Sequence, residues 1–379
     1  MKIGYKVRYV TLLLCCIILL PVFLLNITGD GGCSSPQSVF VHLASTDFCV
    51  DGSGVRLVGT NSYGILLGYL SLSGLKPSNS TFLVDTAGLY HLRMLRFWTD
   101  PSFFSSGLWA LYNSSASHSA YFTGFASLAD DAKKNNVLLV PSLVTVGDGT
   151  WEKLTGEPVG FFYMVGSRTN LLFKNYWVAP IVNRFKNMPQ VAWWELGNEQ
   201  NCCNLNKTEI ARRIAWAKDL NAFIKKLDPS HLTEGGWNNS GSLNMTEFDN
   251  YNSFEDVSSI HIYSDTLYSL ERTIGITDNR TAINDFVSKY FRESENVLGK
   301  PLFIGEFNAA NSDGNTTAYN YDNWIMQAVY TYDSGAMLVW DLQADTSTTT
   351  CSNQHVSPRC TPWLMELLLY WSDQMTASP

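Results

Sequence analysis

Val191-Ala192-Trp193-Trp194-Glu195-Leu196-Gly197-Asn198-Glu199 is a short apolar run that stops abruptly in polar side chains. An apolar run of this length suits a strand buried on both faces of a parallel sheet. Its polar end suits a strand that opens onto a site. Similar runs precede it at Arg56–Asn61, Leu92–Phe97 and Val137–Leu143, and follow it at Leu232–Gly236, Val257–Tyr263, Leu302–Phe307 and Met337–Asp341. Between them lie stretches with apolar residues at helical spacing: Ser119–Asn135, Asn170–Lys186, Thr208–Leu227, Ala282–Leu298 and Ala318–Tyr332. The third of these is expected to open on Thr208 as a cap and to close at Asp228-Pro229. Eight strands alternating with helices predict an α/β chain folded as a single (β/α)8 TIM barrel. A doubly wound sheet would carry a glycine-rich phosphate loop after its first strand, and Gly59-Thr60-Asn61-Ser62-Tyr63-Gly64 does not match one.

Composition narrows the function. The chain has 379 residues and is 45% hydrophobic, which excludes wholesale disorder. Charged residues make up only 16%, against roughly 25% in an average domain. The 34 acids outnumber the 26 bases, and no long Lys/Arg run occurs beyond the N-terminus. That balance argues against a nucleic-acid partner, which needs phosphate-neutralising cations. The 12 Trp, 18 Tyr and 20 Phe residues suit flat, ring-shaped ligands as well as a core.

Residues 1–30 have the layout of a targeting segment. Lys2, Lys6 and Arg8 precede an apolar run from Val10 to Leu25, interrupted by Pro21. The length fits either a cleaved signal peptide or an uncleaved membrane anchor. Both place the body on the secretory side, secreted in the first case and membrane-tethered in the second. Glycosylation sequons at Asn26, Asn79, Asn113, Asn206, Asn238, Asn244, Asn279 and Asn315 agree. Beyond Cys15 and Cys16 in the apolar run remain Cys33, Cys49, Cys202, Cys203, Cys351 and Cys360, read as disulfide candidates. Cys33–Cys49 and Cys351–Cys360 are favoured as local loops, and no Cys/His spacing suggests zinc. No composition break follows residue 38, so residues 38–379 are expected to form one catalytic domain, a monomer. Trp363–Trp371 is too short to span a membrane and reads as a terminal packing helix.

Barrel sites lie at the C-terminal ends of the strands. Those ends supply Arg96 on strand 2, Asn198 and Glu199 on strand 4, His261 and Tyr263 on strand 6, Glu306 on strand 7 and Trp340 on strand 8. Two glutamates on strands 4 and 7 are what retaining glycoside hydrolysis needs. One protonates the leaving oxygen, and the other, ionised and about 5–5.5 Å away, attacks the anomeric carbon. Asn198 can bond a sugar 2-hydroxyl, Arg96 and Tyr263 can hold the attacking carboxylate, His261 can orient either acid, and Trp340 can floor the sugar. Glu195, two residues before Gly197 in the alternation, is expected to be a buried support, with Trp193 and Trp194 packed in the core. Trp98, Trp151 and Trp237 follow strands 2, 3 and 5, where sugar-stacking platforms would lie. No cofactor or metal is needed.

These motifs resemble glycoside hydrolase family 5, a family of retaining barrel hydrolases, and especially its endo-β-1,4-mannanase branch. The resemblance rests on Trp194–Glu199, on His261-Ile262-Tyr263-Ser264-Asp265, on Val58–Tyr63, on Leu227–Leu232 and on Lys300–Phe307. It implies Glu199 as acid/base, Glu306 as nucleophile and a β-1,4-mannan or glucomannan substrate. The chain departs from the branch at Gln200 and Ser264, where prolines are usual, at the Cys202-Cys203 pair, and in the loop Gly147–Met164. These departures leave open another β-linked polysaccharide or oligosaccharide, such as a β-glucan or a glycoconjugate. A non-catalytic barrel that only binds glycans is a further alternative.

Overall fold

The structure, a computed structural model, describes residues 33, 38–71, 77–100, 115–145, 149–202, 205–238, 245–264, 279–310, 313–332, 335–345 and 351–376. The apolar N-terminal segment, Cys203 and the sequons at Asn26, Asn113 and Asn244 lie outside these residues. An antiparallel meander comes first, formed by β1 (His42–Ala44), β2 (Asp47–Val50) and β3 (Ser53–Val55). The barrel strands are β4 (Leu57–Asn61), β5 (Met94–Trp98), β6 (Leu138–Ser142), β7 (Trp193–Glu195), β8 (Leu232–Glu234), β9 (Ser258–Tyr263), β10 (Leu302–Asn308) and β11 (Ala336–Val339). They run parallel in the order β8-β7-β6-β5-β4-β11-β10-β9. A parallel bridge between Glu234 and Val257 joins the two ends and closes the barrel. Each of the eight expected runs overlaps one of these strands, with β5 and β10 running one residue further and β11 starting one residue earlier.

Side-chain alternation divides the apolar residues into two bodies. Val58, Leu95, Leu139, Trp194, Ile304 and Met337 face outward into the helical ring. Leu57, Met94, Leu138, Trp193, Phe303 and Leu338 face inward, at the end of the barrel where the strands begin. Val41 and Phe48 of the meander complete this inner body, and the Phe48 ring stacks on Trp193 at 5.2 Å. The meander therefore plugs the bottom of the barrel. Its strands of three or four residues carry too little alternation to be found by pattern, and the sequence reading passed over them.

The expected helices are present. The stretch Asn170–Lys186 is one continuous rod built from Arg168–Leu172, a π-helical turn at Phe173–Val178, and Ala179–Phe185. The helix Lys207–Leu227 corrects the expected cap. Asn206, not Thr208, caps it, accepting the amides of Thr208 and Glu209 at 3.0 and 3.1 Å. Glu209 returns a carboxylate to the Asn206 amide at 2.9 Å, completing a capping box. The C-terminal segment forms the helix Pro362–Thr376. No helix among the described residues is long and apolar enough to cross a membrane. Cys33–Cys49 and Cys351–Cys360 are bonded as the spacing suggested, and Cys202 is also in a disulfide.

One irregularity sets the site. Ile304 pairs with Ile260, whereas Glu306 pairs with the very next residue, His261, so Gly305 is an extra residue bulged out of register. Strict alternation from inward-facing Phe303 would send Glu306 outward among the helices. The bulge reverses the parity and turns Glu306 into the barrel. Only glycine fits there, because a Cβ at position 305 would lie 2.9 Å from His261 Nε2.

Candidate active site

Arg96, at the top of β5, is buried and organises the rim. Its Nη1 donates to Asn61 Oδ1 at 2.7 Å and to Glu306 Oε1 at 2.8 Å. Its Nη2 donates to Glu195 Oε1 at 2.8 Å and to Asn198 Oδ1 at 2.6 Å, and its Nε donates to Glu195 Oε2. Glu195 is thus the buried support expected of it, gripping the guanidinium with both oxygens. Burial works against the Arg96 charge, and the Glu195 and Glu306 carboxylates outweigh it, so its pKa is raised.

Strand β7 ends at Glu195, and the alternation ends with it. Asn198 N–H donates to Val144 O at 2.8 Å, and Glu199 N–H donates to Gly236 O at 2.7 Å. Glu199 itself sits at φ +49°, a left-handed conformation rare for residues with a side chain and concentrated at functional sites. The turn sends both Asn198 and Glu199 toward Arg96 and His261. Gly236 supports it at φ +67°, where a Cβ would lie 2.7 Å from Glu195 Oε1.

His261 and Tyr263, both from β9, link the two acids. His261 Nδ1 lies 2.8 Å from Glu199 Oε1 and 3.6 Å from Glu306 Oε1. Tyr263 donates its hydroxyl to Glu306 Oε2 at 2.5 Å. Ligand-type atoms of Glu199, His261 and Glu306 all fall within 4.8 Å of one another. A cation could bridge that spacing, but the Arg96 charge on Glu306 opposes one. The second acid cluster, Asp345 with His355 and Cys360, is no metal site, because the Cys360 sulfur is bonded to Cys351.

Burial pushes the Glu306 carboxyl up, against His261, Arg96 and Tyr263, which pull it down. Burial also acts on Glu199, but the His261 and Asn238 hydrogen bonds outweigh it and hold that carboxyl below its ordinary value. His261 is raised, because the two glutamates overcome its burial. An acid with a high pKa and a nucleophile with a low one would be the reverse of these directions. The Glu199 side chain keeps 23% of its surface and the Glu306 side chain 5%. A ligand covering the rim would strip water chiefly from Glu199 and so raise its carboxyl selectively.

Trp340 follows β11 and is half-buried. Its ring stacks on Tyr63 at 5.8 Å, and Trp98 joins both, 5.8 Å from Trp340 and 4.9 Å from Tyr63. Of the three other aromatic candidates, only Trp98 reaches the rim. Trp151 is fully enclosed against Phe162, Phe173 and Trp177 in the outer core. Trp237 is equally enclosed, its ring tilted against Tyr251 at 4.7 Å, with its Nε1 on Glu255 at 3.0 Å. Neither offers a ring face to a sugar, which corrects the expectation from their place after strands 3 and 5.

The two proline departures have structural uses. Gln200 bonds Thr145 O at 3.0 Å and accepts the Tyr163 hydroxyl, tying the turn after Glu199 to the loop before it. Ser264 Oγ donates to Asp313 Oδ2 at 2.7 Å and accepts Ala310 N–H at 2.7 Å, joining the ends of β9 and β10. The sequence reading missed Asn61, Tyr63 and Asn238. All three follow the strand-end rule, but at Asn238 the sequon is the stronger sequence signal.

A model of the family described as Cellulase (glycosyl hydrolase family 5) matches residues 158–346, which carry both rim glutamates. The chain belongs to glycoside hydrolase family 5. As a family 5 protein it is a glycoside hydrolase by class. It is 26% identical over 328 residues to a putative mannan endo-1,4-beta-mannosidase 9 of Oryza sativa subsp. japonica, covering 77% of each chain. To mannan endo-1,4-beta-mannosidase 1 of Arabidopsis thaliana it is 25% identical over 309 residues, covering 73% of each. Among solved family 5 structures, the endo-1,4-beta-mannanase of Rhizomucor miehei superposes with a TM-score of 0.67 at 17% identity. That match covers 89% of this chain and 100% of the other. The shared fold is a TIM barrel.

Proposed function

We propose that this family 5 protein cleaves internal β-1,4 bonds of mannan or glucomannan with retention of anomeric configuration. The observation that carries the reading is the pair Glu199 and Glu306, with carboxylate oxygens within 4.8 Å across the His261 bridge. That separation leaves no room for the intervening water of an inverting mechanism, and suits direct attack. Glu306, held on Oε1 by Arg96 and on Oε2 by Tyr263, attacks the anomeric carbon. Glu199 gives its proton to the leaving oxygen and then takes one from the water that hydrolyses the ester. Asn198 has its Oδ1 committed to Arg96, so its Nδ2 is the group that donates to the sugar 2-hydroxyl. Trp340 and Trp98 supply the apolar floor.

The mannan substrate is favoured by the names of the rice and Arabidopsis relatives, each matched over more than two-thirds of its length. The reading extends to a secretory or extracellular place of action, supported by disulfides that need an oxidising compartment. The test is reducing-sugar release from β-mannan by the full chain made in a secreting eukaryotic host, beside Glu306→Ala and Glu199→Ala. Release by the wild type, with β-configured first products, supports the reading. The nucleophile variant should lose on the order of 10⁴-fold or more. Release from β-glucan but not mannan would shift the substrate, and unchanged activity in either variant would overturn the roles.

A further inference from the structure

Glu199 Oε1 accepts two hydrogen bonds, from the ends of two neighbouring strands. One comes from His261 Nδ1 on β9, and the other from Asn238 Nδ2 at 2.9 Å, from the turn after β8. Glu199 Oε2 receives none from the described residues. Asn238 is itself clamped: its amide N–H donates to Asn201 Oδ1 at 2.8 Å, and its carbonyl accepts from Asn201 Nδ2 at 2.7 Å. Asn201 stands two residues after Glu199, so the clamp joins the turn that carries the acid to the turn that carries its donor.

Resting on the glycosidase reading above, we infer that Asn238 is a positioning residue that decides which oxygen of Glu199 carries the catalytic proton. A carboxylic acid has one carbonyl oxygen, a good acceptor, and one hydroxyl oxygen, a poor one. A side-chain amide NH2 is a permanent donor that no change of pH removes. With that donor and the His261 Nδ1 hydrogen bond both on Oε1, Oε1 is fixed as the carbonyl oxygen and the hydroxyl falls on Oε2. In the first step the Oε2 proton moves to the glycosidic oxygen as the C–O bond breaks and its electron pair goes to that oxygen. Glu306 meanwhile forms the new bond to the anomeric carbon. In the second step Oε2, now unprotonated, takes a proton from water as water attacks that carbon and the ester bond to Glu306 breaks.

Asn238 is also the first residue of the sequon Asn238-Asn239-Ser240. A glycan on its Nδ2 would stand against the catalytic acid, so the active molecule carries none at this position.

The experiment compares kcat/KM for mannopentaose and for dinitrophenyl β-mannobioside in the wild type, Asn238→Ala and Ser240→Ala. The dinitrophenolate leaves without a proton, and kcat/KM reports only the first chemical step. Asn238→Ala should lose about 10- to 100-fold on mannopentaose, a share of the value of a general acid. On the aryl substrate it should stay within about threefold, which also shows that the variant is folded. Ser240→Ala, which removes the sequon and keeps the amide, should match the wild type on both. Equal losses on both substrates in Asn238→Ala overturn the inference, as does a Ser240→Ala variant with the same loss. An active wild type with either result leaves the mannanase reading standing. A wild type that turns over neither substrate overturns that reading and this one with it.

Discussion

Tyr263 and Glu306 share a hydrogen bond of 2.5 Å, made to Oε2, the oxygen opposite the one that Arg96 holds. The hydroxyl stabilises the ionised carboxylate in a site where burial pushes that carboxyl up. Tyr263→Phe removes the donor and leaves the ring. The Glu306 pKa then rises, and the acidic limb of the kcat/KM profile moves to higher pH. Activity at the optimum should fall by about 10- to 100-fold, the scale of losing one well-placed donor in a site closed to water. A pH–rate series on β-mannan checks both statements.

Arg96→Met tests the rim as a structural element. The guanidinium is the partner of Glu195, which is fully buried and cannot reach water. Removing one member of a buried pair costs about 3–5 kcal/mol, because the other charge is stranded. The expectation is a marked fall in Tm along with loss of hydrolysis, read by calorimetry and by assay.

Glu234, on β8 beside Glu195, gives a stability effect with a definite sign. Burial, followed by the Glu195 charge, pushes its carboxyl from 4.5 up to about 8. Between those values the folded chain keeps a proton that the unfolded chain has lost, so stability falls as pH rises through the window. Glu234→Gln is neutral at every pH. Its Tm relative to the wild type should therefore increase steadily from pH 5 to pH 8 and level off above. A flat difference across that range would contradict the assignment.

The tryptophans divide by what their loss should do. Trp340→Ala removes a half-exposed ring from the rim and should weaken kcat/KM while changing Tm little. Trp151→Ala empties a closed pocket between Phe162 and Phe173 and should cost about 3–5 kcal/mol of stability. Melting curves beside kinetics separate the two.

What the sequence disclosed and what it hid have physical reasons. Strands buried on both faces leave continuous apolar runs, so all eight barrel strands could be read, and Arg96, Glu199, His261, Tyr263 and Glu306 meet as their strand-end positions implied. The inward aim of Glu306 was not readable from alternation, which points it outward. It comes from the bulge at Gly305, visible only in the pairing with β9. Trp151 and Trp237 illustrate the opposite failure. A residue following a strand can fold back under the helices, and one dimension does not say which way it turns. Asn238 is hidden by a competing reading, since the same Asn-x-Ser triplet describes a sugar acceptor and a donor to Glu199.

The β1–β3 meander has a consequence for orientation. It stoppers the pole where the strands begin, fastened through Cys33–Cys49 and through Phe48 on Trp193, while Glu199 and Glu306 open at the other pole. Cys33 and Val41, early in the described chain, sit at that closed pole. A tether attached there would hold the molecule by its base and present the Glu199–Glu306 rim outward, away from the point of attachment.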